Sequence, residues 1–117
     1  FKIALYTSLA ELDATTTAYT ALNEVANGSG YTTTGLTLTV SQVPTTGGTP
    51  TTTAYLNFAN AVWTSASFSA AAALIYNSSN ANRSVAILSF GGTKTATTTF
   101  TVQFPPSGAG SSIVQIA

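Results

Sequence analysis

Clustered threonine restricts this chain more than any other feature. Of 117 residues, 23 are threonine, gathered in ATTTAYT, YTTTGLTLT, TPTTTAYL and TATTTFTV. A β-branched side chain loses rotamer freedom in a helix and packs well on a pleated surface, so these clusters push the chain toward strands. Alternation then assigns faces. In GLTLTVS, Leu36, Leu38 and Val40 share one face and Thr37 and Thr39 the other; in TFTVQF, Phe100, Val102 and Phe104 oppose Thr101 and Gln103. Both read as half-buried strands. FKIALY near the start and SIVQIA near the end are compatible with strands too.

The stretch WTSASFSAAAALIYN, residues 63–77, is followed by the polar run NSSNANR and a second apolar run, RSVAILSF. Two apolar arms around residues that accept turn conformations form a hairpin signature. Its first arm is expected to be a central strand, with Phe68, Ala70, Ala72, Leu74 and Tyr76 on one face and Ala71, Ala73 and Ile75 on the other. A helix over 70–76 competes, because alanine is the best helix former, but no cap or polar helical face accompanies it. Ser8 and Glu11 have capping-box spacing for a single turn, and VPTTGGTPTTT and FPPSGAGSS read as loops on composition. The sum is an all-β chain: one β-sandwich or jelly-roll-like domain over residues 1–117, with seven to nine short antiparallel strands. Its expected core includes Leu36, Leu38, Val40, Phe58, Trp63, Phe68, Leu74, Ile87, Phe100, Val102 and Phe104.

Only six residues are charged, Lys2, Arg83 and Lys94 against Glu11, Asp13 and Glu24, for a net charge of zero. Such a surface does not steer toward nucleic acid or anionic lipid, and a near-neutral surface favours association with a packed partner. Cysteine and histidine are absent, which removes disulfides and thiolate or imidazole metal sites. No apolar run reaches the length of a membrane-spanning helix. Glu11 and Asp13 read as a polar turn rather than half a calcium site, since calcium takes six or more oxygens. GGTKT lacks the phosphate-loop spacing and reads as a hairpin turn. Catalytic residues, cofactors and metals are therefore expected to be none. Arg83 reads first as a structural residue at the base of the hairpin and second as a ligand contact. Trp63 reads first as core, and second as an exposed platform for stacking sugars.

FKIALYTS, AYTALNEVANGSGYTTTGLTLT, AYLNFANAVWTSASF, AALIYN followed by NRSVAILSFGGTKT, and FTVQFP resemble, in order and spacing, a group of small virion structural proteins of tailed bacteriophages. The resemblance spans nearly the whole chain. It implies a non-enzymatic building block of the particle, most specifically a head decoration, or cement, protein on the outer capsid surface. Its partners would be the major capsid protein and copies of itself as a homo-oligomer, with neither nucleic acid nor membrane. Contacts would come from β-augmentation at a sheet edge and from loop tyrosines such as Tyr19, Tyr31 and Tyr55, with Arg83 a further interface candidate. A tail or fibre adaptor or adhesin domain is the alternative within the virion. A secreted carbohydrate-binding module using Trp63 and surface tyrosines is the alternative outside it.

Overall fold

A computed structural model describes residues 1–10, 12, 15–47, 53–104 and 114–116, of which 41–47, 53–57 and 114–116 are described as backbone only. Every strand pairing between described residues is antiparallel, and no helix occurs among them. The chain divides into two compact units. One comprises Phe1–Thr37 with Val62–Thr101, the other Leu38–Ala61 with Val102–Ala117.

The first unit is built on a four-stranded sheet: β1 (Lys2–Tyr6), β2 (Leu36–Thr37), β6 (Ser69–Asn77) and β7 (Arg83–Thr95), ordered β2-β1-β6-β7. The alanine run is strand, as the hairpin signature predicts. Ala73, Leu74, Ile75 and Tyr76 are all buried, so β6 is covered on both faces. Alanine suits this position because a small side chain lets neighbouring layers approach closely, and helix propensity yields to that packing. One face gathers Ala4, Tyr6, Leu74 and Tyr76, with Ala10, Leu12, Tyr19 and Ile87 packed against them.

NSSNANR forms the hairpin loop. The Asn80 N–H donates to the Asn77 carbonyl and the Arg83 N–H to the Asn80 carbonyl, both at 3.1 Å. Ala81 and Asn82 both have φ of 54°, and positive φ at both central residues marks the type I′ turn that matches strand twist.

GGTKT is not a hairpin turn. It lies inside β7, whose pairing with β6 jumps from Ala72↔Ser89 to Ala70↔Lys94, so residues 90–93 bulge out of the ladder. Gly91 and Gly92, with φ of 73° and 144°, carry that bulge.

Two further strands, β5 (Ala61–Thr64) and β8 (Thr99–Val102), pair as a two-stranded sheet. They carry an aromatic cluster. Phe100 lies 6.0 Å from Trp63, 5.2 Å from Phe68 and 5.9 Å from Phe90 between ring centroids, and Tyr31 lies 5.7 Å from Phe68. Trp63 is 2% exposed, so it is core and cannot serve as a platform for stacking sugars.

The second unit holds a three-stranded sheet, β3 (Val40–Gly47), β4 (Thr53–Phe58) and β9 (Val114–Ile116), ordered β3-β4-β9. Much of VPTTGGTPTTT is therefore strand rather than loop. Pro44 is tolerated because β3 is an edge strand and its register shifts between Gln42 and Thr45, and an edge or a bulge is where proline costs no ladder bond. Leu38, Phe58, Val102 and Phe104 are buried in this unit, and Phe58 and Phe104 lie 5.8 Å apart.

Two expectations need correction. GLTLTVS is not one strand: pairing with β1 ends at Thr37, and the chain then passes into the second unit. The break disrupts the common face, leaving Val40 39% exposed and Leu36 only partly buried. Phe68 and Ile87 are likewise partly buried, while Trp63, Leu74, Phe100 and Val102 are core as expected. Secondly, the strands do not form one continuous pair of sheets: they fall into sheets of four, three and two strands. The all-β, antiparallel character stands.

Candidate functional site

Two features stand out in the first unit: a carboxylate caged by tyrosines, and a long open sheet edge.

The cage is built by the segment after β1. Tyr6 bridges Glu24 in antiparallel fashion, and the Val25 N–H donates to the Leu5 carbonyl at 2.9 Å, so residues 24–25 run along the end of β1. This puts Glu24 among tyrosines from separate parts of the chain. The Tyr19 hydroxyl donates to Glu24 Oε1 at 2.6 Å, the Tyr31 hydroxyl donates to Oε2, and the Thr34 N–H donates to Oε2 at 2.9 Å. The Tyr31 hydroxyl in turn accepts the buried Leu5 N–H at 3.0 Å. The Tyr6 hydroxyl donates to the Thr20 carbonyl and that of Tyr76 to the Thr34 carbonyl, each at 2.7 Å. Tyr19 stacks on Tyr76 with centroids 4.9 Å apart.

This arrangement acts as a latch. Three donors converge on one carboxylate, satisfying a charge that is partly withdrawn from water. The hydroxyls stay protonated: burial pushes Tyr6 up to about 12. Burial first, then the hydrogen bond to the Glu24 carboxylate, raises Tyr19 and Tyr31 well above the ordinary tyrosine range, and burial raises Tyr76 as well. Among the described residues no group of three His, Cys, Asp or Glu side chains is placed to hold a metal.

A raised folded-state pKa means that the fold favours the neutral phenol. The resulting stabilisation is fully present below the unfolded tyrosine value of about 10 and is lost as pH climbs through the folded values. The tyrosinate absorbance of the native protein should therefore show three of its five tyrosines, Tyr6, Tyr19 and Tyr31, still protonated at about pH 11, followed by a steep rise as the fold opens toward pH 12. A smooth titration of all five near pH 10 in folded protein would contradict the cage.

The cage also relocates the expected interface residues. Tyr19 and Tyr31 converge on Glu24 instead of standing free on loops, and Tyr31 is 2% exposed. Insertion of Tyr31 into a partner is thereby ruled out, because its hydroxyl and ring are spent inside the unit. Tyr55 falls in β4, outside the described side chains. Arg83 is exposed at the first position of β7, opposite Asn77, at the base of the hairpin. Glu11 and Asp13 lie outside the described residues. Sequence reasoning missed Glu24. The available signal was its position inside a tyrosine-rich segment, with Tyr19 five residues before it and Tyr31 seven after.

The second feature is β7, the 13-residue edge of the four-stranded sheet. Its first residues are covered on the outer side. The Ser84 N–H donates to the Thr17 carbonyl at 3.0 Å and the Tyr19 N–H to the Asn82 carbonyl at 2.9 Å. Beyond Ser84 no strand among the described residues pairs with that side. From Ser84 to Thr93 the strand carries neither charge nor proline, and Arg83 and Lys94 flank that stretch.

No known protein family, curated protein or solved structure matches this chain.

Proposed function

We propose that this protein is a non-enzymatic structural component of a tailed-phage virion, a head decoration protein. In this reading it sits on the outer capsid surface as a homo-oligomer and bridges neighbouring major capsid proteins. The observation that carries the reading is the outer edge of β7. An unpaired edge offers a row of main-chain donors and acceptors, and proteins that remain monomeric ordinarily blunt such an edge with charge, proline or a covering element. Among the described residues only its beginning is covered, the bulge at 90–93 interrupts only its far end, and charges stand only at the ends of the open stretch. Strand addition uses main-chain hydrogen bonds and needs no charge complementarity, which suits a chain with six charged residues. Such contacts are individually modest and gain strength by repetition over a lattice. The resemblance read from the sequence motifs implies the same role.

The test is a cryo-EM reconstruction of the particle carrying this chain, with wild type and with Val85→Lys. Val85 is 37% exposed on β7, so a lysine there leaves the core intact while opposing edge-to-edge approach. The expected result is density repeated over the whole shell, lost or thinned in the variant, with a lower bursting temperature for undecorated particles. Density confined to the tail would assign the adaptor role instead. Undecorated particles with unchanged heat resistance would overturn the cement role.

A further inference from the structure

A cavity of about 280 Å³ opens in the first unit between the segment after Glu24 and the start of β6. Asn27, Ser29 and Ser67 supply much of its polar lining, and Val25, Ala26 and Phe68 its apolar side. The walls are tied together. Gly28 and Tyr31 close a tight turn with two hydrogen bonds, Gly28 N–H to the Tyr31 carbonyl at 2.7 Å and Tyr31 N–H to the Gly28 carbonyl at 3.0 Å. The central residues of that turn, Ser29 and Gly30, have φ of 55° and 92°, a type I′ geometry. From the turn, the Ser29 carbonyl accepts the Ser67 N–H of the opposite wall at 2.8 Å. A Cβ at Gly30 would come within 2.5 Å of the Ser65 carbonyl oxygen, so turn and wall meet backbone to backbone. A cavity held this way needs little ordering to receive a ligand.

Its chemistry is selective. The Asn27 Oδ1 already accepts the Thr33 N–H at 3.0 Å, which fixes the side chain and leaves its amide N–H groups free to donate. Among the described residues the Ser29 and Ser67 hydroxyls have no partner. The hydroxyls of Thr7 and Ser69, by contrast, are engaged with the Asn23 carbonyl and the Thr95 hydroxyl. No ionisable side chain lines the cavity. The polar groups stand at the open side of the site: an ionic ligand would find no counter-charge there, and a purely apolar one would leave the amide and two hydroxyls unused. A ligand that uses these groups is neutral and rich in hydroxyls, with apolar carbon to set against Val25, Ala26 and Phe68. The volume falls just below the usual range of small-molecule sites and leaves room for one ring.

We infer that this cavity is a binding site for a single neutral sugar ring, a hexose or N-acetylhexosamine. The site is separate from the β7 edge and from Trp63, and its occupancy does not depend on the role in a capsid. Affinity for one ring in so small a site lies in the millimolar range, roughly 1–10 mM.

The test is a ¹H–¹⁵N NMR titration of the whole chain with glucose, galactose, mannose, N-acetylglucosamine and N-acetylgalactosamine in turn, with glucuronate and sorbitol as comparisons. At least one neutral sugar should give saturable shifts centred on the amides of Asn27, Ser67 and Phe68, while glucuronate and sorbitol give none. Two variants keep the fold. Asn27→Asp retains the acceptor for the Thr33 N–H while removing the donors, and Ser67→Ala removes an exposed hydroxyl. Each should weaken binding about tenfold at an unchanged melting temperature. The proposal is overturned if none of the five sugars shifts these amides at about 50 mM, well above the expected dissociation constant. It is equally overturned if both variants bind as the wild type does, or if glucuronate binds as well as the neutral sugars.

Discussion

Gly35→Ala is expected to prevent the first unit from folding. Gly35 has φ of 83°, and a Cβ placed there would overlap the Ile3 carbonyl oxygen and lie 2.7 Å from the Ile3 carbonyl carbon and 2.9 Å from Ala4 Cα. Those atoms belong to the backbone of β1, which is fully buried at Ile3 and Ala4 and paired on both sides, so neither partner is free to move. The loss also spreads. Gly35 leads directly into β2, whose Leu36 and Thr37 pair with Ile3 and Lys2. Its neighbour Thr34 accepts from Tyr76 and Lys2 and donates its N–H to Glu24. Backbone overlap combined with a left-handed φ belongs to the severe class of substitutions, at about 4 kcal/mol or more. Gly91→Ala provides the comparison. Its φ of 73° is similar, but no atom lies within 4 Å of the added Cβ. Only the left-handed conformation then costs energy, about 1–2 kcal/mol. Expression of both variants, with urea unfolding of the soluble fraction, reads the difference directly. Equal stability of the two would show that β1 does not approach Gly35 as described.

Glu24→Ala is expected to cost about 3 kcal/mol, because two phenols and one backbone N–H lose a charged acceptor together. For a chain of this length that lowers Tm by roughly 10 °C. Glu24→Gln should cost about half as much. Its amide oxygen can still accept from the Tyr31 hydroxyl and the Thr34 N–H, and the Tyr19 hydroxyl can rotate to accept from the amide nitrogen. Tyr31→Phe should also be costly, since it leaves the buried Leu5 N–H without its acceptor. The double variant Glu24→Ala with Tyr31→Phe should be less destabilised than the sum of the two, with a coupling of about 1–2 kcal/mol, because the two groups act on one network. Strict additivity in the thermal or urea transition would show that the carboxylate and the phenol do not share a bond in solution.

The hairpin of β6 and β7 was legible from composition alone. Its polar, Asn- and Ser-rich loop marks a turn, with Asn82 tolerating one of the two positive φ values, and the alternating arms settle which side chains share a face. The partition of TFTVQF was legible for the same reason: Phe100 and Val102 are buried and Thr101 is exposed. GLTLTVS has an equally regular pattern yet splits, because alternation describes a local pleat and carries no information about where pairing with a remote strand stops.

The candidate sites follow the same division. The absence of cysteine and histidine, read directly from residue types, excludes disulfides and thiolate or imidazole metal sites. Threonine clustering and alternation determined that it is built of antiparallel strands. Only tertiary structure decided that Tyr19 and Tyr31 turn inward onto Glu24, that β7 stands at an edge, and that Asn27 and Ser67 face one cavity. Each of these depends on contacts between residues far apart in the chain, such as Leu5 with Tyr31 or Ser29 with Ser67. Periodicity of two or four residues reports which side of a strand a residue occupies; the neighbour it meets there is set by the order in which the strands assemble.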